Sequence, residues 1–461
     1  MLKNDLAIIM AGGIGIMHKS QYPPVLAKVL GKPMISRVTA AAIGAGIKNI
    51  VIVIPKNDEY IKEHINEQFP KNNIIFVEQP TPLGTAHAVL QASSEIADCA
   101  DAKANVLILN GDTPFMDAST INSAYKQHIS RNHDMTVISA IVSKPFGYGR
   151  IVRSAAHAFA GIIEERDANS EIKRITEISS GTYWFKADAL QFVLSNLSPR
   201  ANGHYNLVDA VPLLLSNDKG VDTYFASNSD IILGANDRQQ IMELNNYAKM
   251  REIEFHLAAG VDIPYSDGVV IEEGVEIGID TTILPGCIIK SGVKIGKDCI
   301  IGPNTYISDS SIGDNVKLNH VQCNKSIIKN GADIGPYVQI RPNTVIGENV
   351  HLGNFVEVKN SNIDTGTKVS HLTYVGDSDV GKRVNFGCGT VTVNYTGKAK
   401  YRTTIGDDAF IGCNTNLVAP VSLGNGAYTA AGSTITEDVP EDSLGIARAR
   451  QVNKLGWKIK K

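Results

Sequence analysis

Three groups of residues in this 461-residue chain have side chains and spacings suited to chemistry. The first is the glycine-rich run Ala11-Gly12-Gly13-Ile14-Gly15, which follows the apolar stretch Leu6 to Met10. A glycine loop after a strand can bring backbone N–H groups against phosphates. The second is Asp112, in Asn110-Gly111-Asp112-Thr113-Pro114, at the end of the apolar run Val106 to Leu109. A carboxylate there can hold Mg2+ against a triphosphate; equally, it can simply close a turn. The third lies downstream: Arg341, Lys359, His371, Tyr374 and Asn385. Arginine and lysine suit an anion. Histidine can serve as a general base, a service worth typically about 10²–10⁴-fold, although a lone histidine is more often simply exposed or hydrogen-bonded.

The first two groups need a scaffold of strands and helices in alternation. Asn49 to Ile54 reads as a strand, Glu59 to Gln68 as a helix, Asn73 to Val77 as a strand, Gly84 to Ala92 as a helix and Asn105 to Leu109 as a strand. This is the layout of an α/β, Rossmann-like domain, with its ligand at the carboxyl ends of the strands. Gln79 with Leu83-Gly84-Thr85-Ala86-His87 forms a second loop-to-helix junction, and Phe146-Gly147-Tyr148-Gly149-Arg150 a third glycine loop.

The third group rides on a different frame. From Ile271 to Ile435 aliphatic residues recur every six positions: Ile271, Ile277, Ile283, Ile289, Ile295, Ile301 and Ile307, then Ile328, Ile334, Ile340, Ile346, Leu352 and Val358. Many are followed by glycine, as in Ile277-Gly278, Ile295-Gly296 and Ile301-Gly302. A six-residue period fits neither a helix nor simple strand alternation; it fits a parallel β-helix with three short strands per coil and aliphatic ladders inside. Glycine is expected at the corners for its freedom at positive φ. Arg341, Lys359 and His371 fall on neighbouring coils, where they can converge on one groove. The segment Thr396 to Thr404 interrupts the period and is expected to project as a loop.

Between the two frames, Asp237 with Gln240 forms an N-cap pattern and opens a helix that Gly260 stops. The expected domains are residues 1–238, a helical linker 239–259, and 260–461. A net charge of −3 gives no sign of a nucleic-acid or membrane surface, and no apolar run of about 18 residues predicts a membrane span. The short basic tail Lys458, Lys460, Lys461 reads as solvated, and the first residues lack a signal-peptide pattern. Six scattered cysteines without a CxxC pair argue against a zinc site and for a reducing cytoplasm.

The set Gly13-x-Gly15, Leu83-Gly84-Thr85-x-His87-Ala88, Gly111-Asp112-x-Pro114, Gly147-Tyr148-Gly149-Arg150-Ile151 and Glu164-x-x-Asp167-Ala168 resembles the sugar-phosphate nucleotidyltransferases. Followed by hexapeptide repeats and Ser370-His371-Leu372-Thr373-Tyr374, it resembles the bacterial bifunctional family that joins N-acetylglucosamine-1-phosphate uridyltransferase to glucosamine-1-phosphate N-acetyltransferase. The resemblance spans essentially the whole chain. It implies a left-handed hand for the β-helix, a homotrimer, and a cytoplasmic enzyme without nucleic-acid or stable membrane partners. In the first half it implies that Asp112 and Asn236 hold Mg2+, that Ala11, Gly12, Gly13, Gln79, Gly84 and Thr85 meet UTP, and that Gly149 and Glu164 meet the sugar. In the second half it implies His371 as the base, Arg341 and Lys359 on the phosphate of glucosamine 1-phosphate, and Tyr374 and Asn385 on its sugar. Cys388, Asn394, Tyr395, Cys413, Ala431 and Arg448 would line the acetyl-CoA site; for Cys388 and Cys413, packing as small residues in the coil is an equal reading.

The chain departs from the family pattern at several points. Met17 stands where the family has arginine and Pro24 where it has lysine; Asn110, Ser179 and Cys413 replace a tyrosine, an asparagine and a serine. Phosphoryl transfer relies on cations. An alternative reading therefore keeps the acetyltransferase and makes the first half a non-catalytic nucleotide-binding module, unless Lys19 or Lys28 compensates.

Overall fold

The computed structural model describes residues 4–13 and 22–457. Gly15, Met17 and Lys19 of the glycine loop, and the basic tail from Lys458, lie outside the described residues. The chain divides between Tyr247 and Ala248 into two compact units.

The first unit is built on a twisted sheet. Its strands are β1 (Leu6–Met10), β2 (Asn49–Pro55), β3 (Ile74–Gln79), β4 (Asn105–Asn110), β5 (Met135–Ile141), β6 (Glu177–Lys186) and β7 (Val221–Phe225), in spatial order β7-β5-β6-β4-β1-β2-β3. Neighbours are parallel except β6, which runs antiparallel to both β4 and β5. The apolar run of β1 serves both faces of the sheet: Ala7 and Ile9 join one core cluster, Leu6 and Ile8 the other. Burial on both faces is why these strands read as continuous apolar runs. β3 ends two residues later than the apolar pattern suggests, because Glu78 and Gln79 still pair with Ile54 and Pro55. That extension carries Gln79 to the carboxyl edge of the sheet. The helix Glu59–Gln68 starts where expected, with the Asp58 carboxylate accepting from the N–H of Ile61 at 2.8 Å. The expected helix Gly84 to Ala92 is shorter, Thr85–Leu90, and a second helix begins at Ser93.

The helix Arg238–Ala258 is capped as its sequence predicts: Asp237 Oδ1 accepts from the N–H of Gln240 at 2.8 Å. Gln240 returns the bond to the N–H of Asn236 rather than to its own cap residue. Asn245 fixes its first half within the first unit, accepting from the N–H of Leu30 and donating to the carbonyl of Lys28. Ile253, in its second half, belongs to the core of the second unit.

The second unit is a parallel β-helix of three sheets of ten, nine and ten short strands. The first face stacks Ile271, Ile289, Ile307, Cys323, Ile340, Val358 and Val375 inward. The second stacks Ile277, Ile295, Ile312, Ile328, Ile346, Ile363 and Val380; the third Ile283, Ile301, Leu318, Ile334, Leu352, Val369 and Phe386. Each wholly buried isoleucine contributes roughly 1.5–3 kcal/mol. Cys323 and Phe386 fill rungs where the aliphatic period lapses, so the ladder runs on through positions that a search for aliphatics passes over.

Some of the glycines that follow the isoleucines answer a different demand from the one expected. A Cβ on Gly278 would lie 2.6 Å from the backbone N of Lys297, and one on Gly296 would lie 2.7 Å from the carbonyl carbon of Gly313. At both positions coil-to-coil approach excludes a side chain. Left-handed backbone does occur at Gly302 and Gly335, but many corners give it to Asp or Asn, as at Asp298, Asn315, Asn360 and Asp377.

Candidate functional sites

In the first unit a cleft of about 460 Å³ opens at the carboxyl ends of the strands, lined by Met10, Thr85, Asn110, Glu164, Arg166 and Asn206 among others. Nearby, two glycines are required by close approach. A Cβ on Gly12 would meet Gln79 Oε1 at 2.4 Å, and one on Gly84, whose φ is +104°, would meet the carbonyl oxygen of Tyr205 at 2.4 Å. Gln79 is buried, donating to the carbonyl of Gly84 at 3.2 Å with its amide 3.0 Å from His87 Nδ1. Thr85 Oγ1 accepts from the N–H of Leu207 at 2.8 Å. Gly149 packs close to Glu164, and its carbonyl accepts from the N–H of Ser179. Burial pushes the Glu164 carboxyl up, against the opposing pull of Arg200. Ala11 and Gly13 flank Gly12, and the N–H of Ala11 is spent on the carbonyl of Val53.

Asp112 is half-buried where β4 ends. A Cβ on Gly234 would lie 3.1 Å from its backbone oxygen, so the segment leading to Asn236 runs beside it. Tyr148 is pushed up by burial and by the charge of Asp112. One carboxylate and one exposed carboxamide give oxygen donors that fit Mg2+, which draws the remainder from water and phosphate. Among the described residues no cluster of three or more His, Cys, Asp or Glu is placed for a metal.

Among the described residues lining the cleft the cation is Arg166, which sequence reasoning passed over. Pro24 and Lys28 line a separate hollow of about 700 Å³, together with Tyr22, Tyr60 and Ile241, and no lining residue is shared between the two.

In the second unit the register sorts the candidates into two corner columns. His371 pairs with Asn354 on the third face, its Nδ1 2.8 Å from Asn354 Oδ1. Cys388 follows one coil on, and its carbonyl accepts from the N–H of Asn414; the carbonyl of Cys413 in turn accepts from the N–H of Gly432, next to Ala431. The aliphatic part of Arg448 comes within 4.0 Å of the Cβ position of Gly432. His371, Cys388, Cys413 and Ala431 thus climb one corner, and Cys413 and His371 are exposed.

The other column begins with Arg341 and Lys359. Arg341 donates to Glu357 Oε1 at 2.8 Å, and Lys359 Nζ lies 3.9 Å from Asp377 Oδ2. The interrupted segment turns back on itself, with Tyr395 bridged to Lys400, as expected for a projecting loop. Lys400 pulls the Lys359 ammonium below its ordinary value, burial adds to this, and Asp377 opposes it. Asn394 is buried, with its amide donating to Asp377 and to Tyr374 Oη. Tyr374 lies on the strand between the columns, so close over Gly376 that a Cβ there would clash with its hydroxyl. Asn385 stands on the third face in register with Lys368, and Tyr395 is exposed.

Register places Lys359 opposite Gly376, at the far end of the strand that His371 precedes, so the backbones of the two residues take opposite ends of one face. Lys400, Glu357, Asn354 and Asp377 are further members of these columns. Their signal in the sequence was the in-register spacing of one coil, or, for Lys400, a place in the inserted loop.

Residues 6–231 match the nucleotidyl transferase family, and residues 268–308, 325–360 and 402–437 match the bacterial transferase hexapeptide family of six repeats. Sheet, cleft and coils together define a nucleotidyltransferase followed by a left-handed β-helix acyltransferase. The chain is 45% identical over 453 residues to the bifunctional protein GlmU of Caldanaerobacter subterraneus subsp. tengcongensis, covering 98% of this chain and 97% of that one. It is 42% identical over 457 residues to that of Acetivibrio thermocellus, with 99% and 97% covered, and 45% identical over 453 residues to that of Thermoanaerobacter pseudethanolicus, with 98% and 97% covered. The chain belongs to the bifunctional GlmU family. It is a transferase with both a uridyltransferase and an acetyltransferase half, and the comparisons lend nothing to the alternative of a non-catalytic first half.

Proposed function

We propose that the chain makes UDP-N-acetylglucosamine in two steps, one in each unit. In the β-helix the amine of glucosamine 1-phosphate attacks the thioester carbon of acetyl-CoA. His371 Nε2 takes the amine proton and returns it to the leaving thiolate, while Arg341, Lys359 and Lys400 hold the phosphate. Acetyl-CoA runs along the corner of Cys388, Cys413, Ala431 and Arg448, with Asn394 and Tyr395 at its side and Tyr374 and Asn385 on the sugar. The observation that carries this is the bond from His371 to Asn354 at 2.8 Å. The amide oxygen accepts from Nδ1–H, which leaves Nε2 free as the base. The hexapeptide β-helix favours a homotrimer.

In the first unit an oxygen of N-acetylglucosamine 1-phosphate attacks the α-phosphorus of UTP, and pyrophosphate leaves. Gln79, Gly84 and Thr85 hold the uracil, Ala11, Gly12 and Gly13 the phosphates, and Gly149 and Glu164 the sugar. Mg2+ on Asp112 and Asn236 would neutralise triphosphate charge. The described helices include none long and apolar enough to cross a membrane, and the six cysteines are free, in keeping with a cytoplasmic enzyme. The test is to assay both half-reactions on one purified sample, with and without Mg2+. Acetylation of glucosamine 1-phosphate without metal and pyrophosphate release only with it are expected; failure to acetylate glucosamine 1-phosphate overturns the reading.

A further inference from the structure

Asp377 is a carboxylate with 5% exposure at the edge of a solvent-lined site. It sits at a corner where three successive coils present Asn360, Asp377 and Asn394. Its φ is +49°, a conformation that Asp and Asn tolerate better than most side chains, and its N–H donates to the carbonyl of Lys359 at 2.9 Å. Both carboxylate oxygens accept: Oδ1 from the amide of Asn360, Oδ2 from the amide of Asn394. Lys359 Nζ lies 3.9 Å from Oδ2.

A corner ladder alone would be satisfied by asparagine, as at Asn343 and Asn360, which also have positive φ. What sets this rung apart is the charge around it. The charged groups that face Lys359 are Lys400, Arg341 and Asp377, so two cations stand against one carboxylate. Glu357 is engaged by Arg341 and Asp379 by Arg402, leaving Asp377 to balance Lys359.

We propose that Asp377 is a positioning residue for acetyl transfer: it fixes the ammonium of Lys359 and the amide of Asn394 beside the sugar-phosphate seat. This rests on the reading of Lys359 as part of the phosphate grip. Lys400 and burial already pull the lysine down, and Asp377 is what opposes them. Without the carboxylate, Lys359 would release its proton at lower pH and the grip would fail there.

The test uses the full chain and varies glucosamine 1-phosphate across pH 7 to 10. Asp377→Asn is expected to raise KM for the sugar phosphate about tenfold, as for one lost charge-assisted contact, with kcat changed far less. It is also expected to move the alkaline fall of kcat/KM to lower pH. Lys359→Arg, whose guanidinium does not titrate in this range, should abolish that alkaline fall with or without Asp377. A wild-type KM and alkaline limb in Asp377→Asn overturns the proposal. So does an unchanged alkaline limb in Lys359→Arg, a result that does not depend on how the Asp377 variant folds. If instead Lys359→Ala leaves KM unaltered, the phosphate-grip reading itself falls.

Discussion

Replacing His371 by alanine removes an exposed imidazole whose recorded bond is to the side chain of Asn354 at 2.8 Å. No buried apolar contact is lost, so stability should change by no more than about 0.5 kcal/mol, as for surface substitutions generally. Catalysis should change far more. A positioned general base is worth typically about 10²–10⁴-fold, which is about 2.7–5.5 kcal/mol of barrier at 1.36 kcal/mol per decade. The assay is thiol release from acetyl-CoA with both substrates saturating, alongside the thermal midpoint. Asn354→Ala should keep the base but free its tautomer, costing about 10–100-fold, the range seen when a group that orients a histidine is removed. Near-wild-type acetylation by His371→Ala would refute the reasoning. So would a loss in Asn354→Ala larger than in His371→Ala.

Ile340, wholly buried on the first face, should cost about 2–5 kcal/mol when cut to alanine, read as a lower denaturation midpoint without loss of the amino-terminal activity. A fragment beginning at Ala248 should fold and acetylate, whereas one beginning at Gly260 lacks Ile253 and should melt lower; comparison of the two melting curves decides it. His128 is pushed down to about 3, chiefly by burial and then by His133 and Lys186, from an ordinary 6.5. Between those values the unfolded chain takes up a proton that the folded one refuses. Stability should therefore fall as pH drops through that window, by up to about 1.4 kcal/mol per pH unit, and His128→Phe should flatten the slope. Met17→Arg with Pro24→Lys should raise pyrophosphate release by about 10²–10³-fold, the usual worth of a preorganised group on developing charge; no gain would mean that another cation already serves.

Much of the fold was legible because two periodicities are simple. The six-residue repeat sets the coils, and the doubly buried strands of the first unit announce themselves as apolar runs such as Leu6–Met10 and Val106 to Leu109. What could not be read was lateral. Cys323, Phe386 and Thr392 occupy interior rungs because stacking fixes the place of a residue whatever its type. Lys400 reaches Lys359 through a turn that has no period at all. Which end of a strand His371 and Lys359 each take is set by register and cannot be seen in a count of coils.

That distinction shows how the two units hold their chemistry. In the β-helix a residue's neighbour above is set by register, so a column such as His371, Cys388, Cys413 and Ala431 is repeated backbone geometry, and a substitution within it changes chemistry more than position. The excursion from Tyr395 to Arg402 departs from the register and returns to it with the strand Thr403–Ile405. It thereby lends a cation, Lys400, to the corner occupied by Lys359 without disturbing the stack. The first unit has no such repeat. Its groups come from strand ends and loops far apart in sequence, each held by its own contacts: Gln79 against Gly12, Gly84 against Tyr205, Asp112 beside Gly234. A change at a single loop position such as Pro24 therefore cannot be absorbed by neighbours in register. Lys28, four residues on, lines the same hollow as Pro24. The physical expectation is that the acetyl transfer of this chain is robust to its departures from the family pattern, and that uridylyl transfer is the slower of its two reactions.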